Sequence, residues 1–418
     1  MIFEKAKQMD KEDPLYKFQN YFLKPKNLVY LDGNSLGLLP KNTKSILDDV
    51  VNIEWGQDLI GSWNSKWLPL NDRVEKKLAE IINAQAGEVF VGDSTSINLY
   101  KIAKALVYSK LYSNNLISDI LNFPSDRYIL AGIADYDPGI YYHEIDYQNN
   151  VEAEVEKIES KIISCAGVYC LSLSTYLAAY LYPIKRLNQF AKKNGSVIVW
   201  DLSHAIGSIE IDVEEQEILA AVGCTYKHLN GGPGSPGFLY VNQELNDSLA
   251  TPIQGWFGHK DTFKFSDSYQ KGEGSNQYKV GTPNILSLAA LEPGLDITLE
   301  ASMSSIRKKC LIMGDFIQEY LSQELNDLGV QIIGPLSPEK RGGHITIKHQ
   351  ESWRICKCLQ INDNIKIVTD FRPDSLLRVA LTPLYTSYGE LALFLAELKQ
   401  ILESKKYLEL DDSKPVVT

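Results

Sequence analysis

Residues 221–234 read Ala221-Val222-Gly223-Cys224-Thr225-Tyr226-Lys227-His228-Leu229-Asn230-Gly231-Gly232-Pro233-Gly234. A lysine follows a short apolar run and precedes a glycine- and proline-rich turn, whereas a surface lysine normally keeps polar neighbours. Upstream, Val197-Ile198-Val199-Trp200 runs into Asp201 and His204, so an acid stands 26 residues before the lysine. One strand ending in an acid and a later strand ending in a lysine suit pyridoxal phosphate chemistry. The lysine holds the aldehyde as a Schiff base, and the acid keeps the pyridine nitrogen protonated so that the ring accepts electrons.

Outward from this pair the chain alternates strand, turn and helix. Glu88-Val89-Phe90-Val91 runs into Gly92-Asp93-Ser94-Thr95-Ser96, and a helix is predicted from about 98 to 112. Leu116 to Asn122 leads into Phe123-Pro124-Ser125-Asp126, which suits an ordinary turn as well as part of a cofactor site with Phe123 flat on the pyridine ring and Asp126 nearby. Gly167 to Leu171 leads into Ser172, and a helix over 184–194 precedes Val197–Trp200. Short apolar strands separated by helices predict an α/β fold with a mostly parallel central sheet covered by helices. Ligands in such sheets sit off the carboxyl ends of the strands.

Before this block, residues 1–30 read as an amphipathic helix and a loop leading to Val29-Tyr30-Leu31, and 40–56 and 71–86 carry helical periodicity. After residue 286 come two helical stretches (286–299 and 304–325) and strand-like runs at 330–333, 344–347, 365–368 and 377–380. A closing helix covers 388–405. The predicted division is an N-terminal segment 1–40, a large cofactor-binding domain 41–285, a smaller α+β domain 286–410, and a fraying tail 411–418.

The 418 residues carry a net charge of −11, which argues against a nucleic-acid or anionic-membrane partner. The six cysteines show no metal-ligand spacing, so a cytoplasmic chain with reduced thiols and no metal is predicted. The first residues are charged and lack an apolar run, unlike a signal peptide. Ala166 to Ile184 holds no charged residue, yet its serines, tyrosines and Pro183 predict a buried strand, a loop and a helix start instead of a membrane span.

Ser94-Thr95-Ser96, between strand and helix, suits an anion as well as an ordinary N-cap. Asp201, directly after its strand, needs a partner or solvent, and a protonated ring nitrogen is such a partner. Gly255-Trp256-Phe257-Gly258-His259 is an aromatic loop suited to a flat ligand or a packed turn. The glycine-rich run 230–237 lacks the strand–GxGxxG–helix order of a dinucleotide site and reads as a turn that frees the lysine. Arg378 is a candidate for bidentate capture of a carboxylate, with Arg372 as its competitor.

Taken in order, these pieces resemble kynureninase, a fold-type I pyridoxal phosphate hydrolase. The carrying motifs are Tyr30-Leu31-Asp32-Gly33-Asn34-Ser35-Leu36-Gly37, Asp93 to Leu99, Phe123 to Asp126, Asp201 to His204, Tyr226 to Gly232, Gly255 to His259, Gly281-Thr282-Pro283 and Arg378 to Tyr385. The resemblance runs from about Tyr30 to Tyr388. It implies that L-kynurenine and water become anthranilate and L-alanine by cleavage of the Cβ–Cγ bond, within tryptophan catabolism and NAD biosynthesis. It implies that Lys227 binds the cofactor and removes the Cα proton, that Asp201 pairs with the ring nitrogen, and that Tyr226 donates a proton to Cβ. Phe123 would stack on the ring, with Thr95, Ser96, Asp126, Ser172, His204 and Tyr226 around the cofactor and its phosphate. Trp256 and Thr282 would reach in from the second subunit of a homodimer. Arg378 would take the substrate carboxylate, and Asn34, Ser35 and Trp63 would line the substrate pocket. Thr282 stands where animal members carry an asparagine associated with 3-hydroxykynurenine, which implies a preference for plain kynurenine.

One stretch departs from the pattern. Family members typically read Leu-Ser-His-Val-Asn-Tyr-(Arg/Lys)-Thr-Gly after the central strand, and this chain reads Leu171-Ser172-Leu173-Ser174-Thr175-Tyr176-Leu177-Ala178-Ala179. The change predicts a more apolar wall, and with it an alternative reading: a related β-lyase or biosynthetic enzyme acting on another amino acid.

Overall fold

The computed structural model describes residues 2–149, 151–361, 365–373, 375–411 and 413. Most of the expected tail, 411–418, lies outside the described residues.

The strands are β1 (Leu28–Tyr30), β2 (Val89–Val91), β3 (Asn115–Asp119), β4 (Tyr141–Ile145), β5 (Val168–Ser172), β6 (Val197–Asp201), β7 (Ala220–Cys224) and β8 (Gly237–Val241). The C-terminal part adds β9 (Gln331–Ile333), β10 (His344–Lys348), β11 (Lys366–Val368), β12 (Asp370–Arg372) and β13 (Leu376–Ala380). Among the described residues, seven strands form one sheet in the order β2-β8-β7-β6-β5-β3-β4, four form β12-β13-β10-β9, and β1 pairs with β11. The large sheet is parallel except at β8, which runs antiparallel to both β7 and β2.

The central strands β5 to β8 are buried from end to end. Successive side chains leave opposite faces of a strand. Tyr169, Leu171, Ile198, Trp200 and Ala221 therefore join one apolar cluster, and Val168, Cys170, Val197, Val199, Ala220 and Val222 join the other. Helices α4 (Thr95–Tyr108) and α5 (Pro124–Tyr136) cover the second face. On the first lie α6 (Val155–Ser164), α7 (Ile184–Lys193) and α9 (Ile285–Ala301), with α2 (Thr43–Asp49) and α3 (Leu68–Ile81) packed on α9. The short α8 (Gln243–Asp247) follows β8.

The four-stranded sheet builds a separate core with α1 (Ile2–Glu12), α10 (Met303–Tyr320), α11 (Ser352–Gln360) and α12 (Tyr388–Ser404). Leu288, Ala289, Leu291 and Leu295 of α9 belong to the large core, whereas Cys310, Met313 and Ile317 of α10 belong to the small one. Ser302, with φ of 64°, turns the chain between the two helices.

Several elements differ from the sequence reading. Helix α4 begins at Thr95 because Ser94 caps it, its Oγ accepting from the Ile97 amide at 3.3 Å. Phe123-Pro124-Ser125-Asp126 is not a turn but the start of α5, with Pro124 at the first helical position, where its missing N–H costs nothing. Strand β3 ends at Asp119, whose Oδ1 accepts from the Leu121 and Asn122 amides. The stretch 166–184 holds the expected strand, loop and helix start. Bridges pair Ser174 with Leu181 and Tyr180 with Arg341, and α7 begins at Ile184.

Candidate active site

The carboxyl ends of β6 and β7 and the start of β8 meet the N-termini of α4 and α5 around a cavity of about 190 Å³. Thr95, Ser96, Phe123, Asp126, Asp201, His204, Tyr226 and Lys227 line it, so eight residues singled out in the sequence share one wall system. Ser94, Ser125, Ser203, Cys224, Ser235 and Gly237 line it as well.

One end is an anion cradle. Thr95 and Ser96 occupy the first turn of α4, where unpaired amides and the helix dipole favour negative charge. The Ser96 and Ser125 hydroxyls touch at 2.9 Å. Gly237 brings its strand against this turn, since a Cβ there would stand 2.8 Å from the Thr95 nitrogen.

At the other end Asp126 and Asp201 stand together, both buried. Asp201 Oδ1 accepts from the Ser203 amide (2.9 Å) and hydroxyl (2.6 Å). Burial raises the pKa of both acids, and for Asp126 the Asp201 charge raises it further. Ser203's two donors make Asp201 the better-stabilised anion, and Asp126 Oδ2 has no hydrogen-bond partner. Two apposed acids of this kind fit a cationic ring nitrogen.

Between the two ends, Lys227 Nζ lies 2.8 Å from His204 Nε2. Burial, and then the Lys227 charge, hold His204 well below the usual histidine pKa, so the imidazole is neutral and accepts from the ammonium. Tyr226 is pushed up, chiefly by burial, and keeps its proton. The Phe123 ring is 42% exposed and meets Tyr176 edge-on at 5.3 Å, which leaves a face open to a flat ligand. An anion cradle, an open aromatic face, an unmatched acid pair and a lysine in one cavity fit pyridoxal phosphate.

Other expected residues lie outside this lining. Ser172 is paired in register with Asp201 and bonds Asn122 Oδ1 at 2.5 Å. Asn34 is buried, and neither its Oδ1 nor its Nδ2 has a partner, while Ser35 follows it on the loop after β1. Trp63 packs in an aromatic group with Trp67 and Phe257. Trp256 is 43% exposed, and Thr282 is exposed. Arg378 is buried on β13. Its Nε donates to Asp370 Oδ2 at 2.5 Å, its Nη1 to the Tyr176 carbonyl, and its Nη2 lies against the same Asp370 oxygen without a directed hydrogen bond. The competing Arg372 is one-third exposed and reaches Asp370 at 3.1 Å.

The segment 173–179 makes main-chain contacts with the C-terminal part. Its carbonyls join the two cores: Tyr176 accepts from Arg378, Leu177 from Thr346 Oγ1 at 2.5 Å, and Ala179 from the Gly342 amide at 2.6 Å. Its polar character lies in the main chain, which a side-chain reading does not register. Ala179 holds φ 53° where the family pattern has glycine.

Sequence reasoning missed Asn122, Asp370 and His344. Asn122 bonds the Phe123 amide (2.8 Å), Ser118 (3.0 Å) and the Cys170 carbonyl (3.1 Å), besides Ser172, and so fixes the ends of β3 and β5. Its position directly before Phe123 was a signal. His344 is buried, with both ring nitrogens unpartnered and its ring 6.0 Å from that of His204.

Comparison with known proteins identifies the family and the fold. The family described as "Kynureninase C-terminal domain" matches residues 306–398. The kynureninase of Pseudomonas fluorescens is 33% identical over 406 residues, 96% of this chain and 95% of the relative. That of Geobacillus thermodenitrificans is 33% identical over 99% of this chain and 97% of its own length. Among solved structures, the cystine C–S lyase C-DES superposes with a TM-score of 0.80 at 15% identity, covering 91% of this chain and 98% of the other. The cysteine desulfurase of Thermococcus onnurineus gives 0.77 at 18% identity, covering 95% and 98%. These structures share the fold.

Proposed function

The chain belongs to the kynureninase family, and from that premise we propose how its residues divide the hydrolysis of L-kynurenine to anthranilate and L-alanine. The chain is a pyridoxal phosphate-dependent hydrolase of carbon–carbon bonds. Bound in the cavity, the cofactor supplies an electron sink for bonds breaking at the substrate's α and β carbons. The observation that carries the assignment of roles is the Lys227–His204 contact facing the Asp126–Asp201 pair.

Thr95 and Ser96 hold the phosphate at the positive end of α4, with Ser125 beside them. Asp201 holds the ring nitrogen's charge, and Asp126 and Ser172 support it. Phe123 lies against the ring. Neutral His204 accepts from Lys227 and aims its Nζ, and Lys227 then moves the proton at the substrate Cα. Tyr226, kept protonated by burial, delivers a proton to Cβ once the Cβ–Cγ bond has broken. Arg378 takes the α-carboxylate, and Asn34, Ser35 and Trp63 line the rest of the substrate pocket.

The functional unit is a homodimer in the cytoplasm, in tryptophan breakdown. Trp256, Phe263 and Phe265 form an exposed aromatic group, an unusual surface for a free monomer. Trp256 and Thr282 reach the neighbouring site from it, and Thr282 favours plain kynurenine over the 3-hydroxy form. No described helix is long and apolar enough to cross a membrane.

The test supplies both substrates side by side to the purified holoenzyme and follows anthranilate fluorescence. Rapid anthranilate release from L-kynurenine, with slower turnover of 3-hydroxykynurenine, is expected. A holoenzyme that carries cofactor and releases no anthranilate overturns the proposal.

A further inference from the structure

Behind the anion cradle lies a buried cation that the reaction does not use. Lys101, on the second turn of α4, is fully buried. Side chains on a helix lean toward its N-terminus, and the Lys101 ammonium runs back past the start of α4. It donates to Asp93 Oδ2 and to the Tyr278 carbonyl, the latter at 2.7 Å, and it lies over the Phe90 ring, 4.7 Å from the centroid. Neither Lys101 nor Asp93 lines the cavity around Lys227. Asp93 directly precedes the Ser94 cap, and its φ of 52° puts it in the left-handed region. A residue with a Cβ stays there only where its surroundings hold it. The Gly92 amide donates to the Gly237 carbonyl at 3.0 Å, and the Gly237 amide donates to the Asp93 carbonyl at 2.8 Å. The Asn98 side chain holds the Gly92 carbonyl, also at 2.8 Å. Lys101 holds the Asp93 carboxylate. The bend at Asp93 sets the direction in which Thr95 and Ser96 leave β2.

We propose that Lys101 is a positioning residue for the cofactor's phosphate, holding Asp93 in its left-handed turn and thereby aiming Thr95 and Ser96. This rests on the reading of Thr95 and Ser96 as the phosphate holders. The ammonium is fixed from two sides, by Asp93 on the loop and by Tyr278 at the end of the turn Gly274–Tyr278, so the carboxylate it grips has one place to be. Removing the lysine frees that carboxylate, which is one-third exposed and can turn to water. The left-handed bend then loses one of its restraints, and the first turn of α4 loses its fixed aim. Lys101 and Asp93 are neutral as a pair, so they act on the phosphate through geometry and add no net charge.

The test compares the dissociation constants of pyridoxal 5'-phosphate and of pyridoxal, which lacks the phosphate, by absorbance titration of the full chain stripped of cofactor. Loss of general stability weakens both ligands alike, whereas a misaimed cradle weakens only the first. In Lys101→Met the preference for the phosphorylated ligand is expected to fall by about tenfold or more. The double variant Lys101→Met with Asp93→Asn restores neutrality and should show the same loss. It also serves if the single variant does not fold, because replacing both partners of a buried ion pair is milder than removing one. Lys309→Met is the control. Lys309 on α10 is a buried lysine of the same kind, ion-paired with Asp13 at 2.7 Å and donating to the Pro383 carbonyl at 2.6 Å. Its variant should melt earlier and keep the preference within about twofold. An undiminished preference in the double variant, or an equal loss in Lys309→Met, overturns the role of Lys101. A wild-type protein that binds the two ligands alike overturns the phosphate cradle instead, so the two failures are told apart.

Discussion

Lys227 is useful because of what surrounds it. A lysine this close to a neutral histidine loses none of its reach, and its ammonium has a directed acceptor 2.8 Å away. Lys227→Ala should lower turnover by more than about 10³-fold, because the cofactor attachment and the Cα proton transfer depend on one nitrogen. Anthranilate fluorescence measures the loss, and an unchanged circular dichroism spectrum shows that the fold persists. Arg378→Ala should weaken substrate binding by about 2–5 kcal/mol, read as KM, since it also leaves buried Asp370 without its main cation. At this scale Lys227 and Asp201 were legible because a charged side chain directly after an apolar strand has few reasons to be there. Asn122 and Asp370 were not. Asn122 acts on Ser172, 50 residues away, and Asp370 matters only once β12 and β13 lie side by side.

At the scale of elements, the site depends on how closely β8 approaches α4. Strand β8 is the antiparallel member of the large sheet, and its first residue, Gly237, donates its amide to the Asp93 carbonyl at 2.8 Å. Gly237→Ala forces a methyl group against the Thr95 nitrogen and the Ser94 carbonyl carbon, both backbone atoms unable to swing aside. The variant should lose roughly 1–3 kcal/mol of stability in denaturant titration and bind pyridoxal phosphate more weakly. Gly61→Ala meets no atom within 4 Å and should stay within about 0.5 kcal/mol of the parent. The alternation of strands and helices was readable because buried parallel strands are short apolar runs. Not every element end was, because the Pro124 helix start suits a turn equally well until its hydrogen bonds exist. The contacts of segment 173–179 were not readable either, because they are made by carbonyls that every residue carries.

For the whole molecule, the proposed dimer assigns Trp256 and Thr282 to the neighbouring protomer's cavity. Trp256 and Thr282 stand exposed, outside the lining around Lys227, while an aromatic surface formed by Trp256, Phe263 and Phe265 faces away from the chain. In the proposed two-fold dimer the same surface of each protomer would meet the other, and each would complete its neighbour's site. Mixing two inactive variants, Lys227→Ala and Trp256→Asp, then has a defined outcome. In a mixed dimer one site carries both changes and the other carries neither. Random exchange makes half of the dimers mixed, so about a quarter of the sites regain the native set. Anthranilate production should therefore rise after the two proteins are unfolded and refolded together, and not after they are merely combined at a concentration where subunits do not exchange. If Trp256 served the cavity of its own protomer, the refolded mixture would show no more activity than its two components, and the shared-site arrangement would be wrong even if the protein sedimented as a dimer.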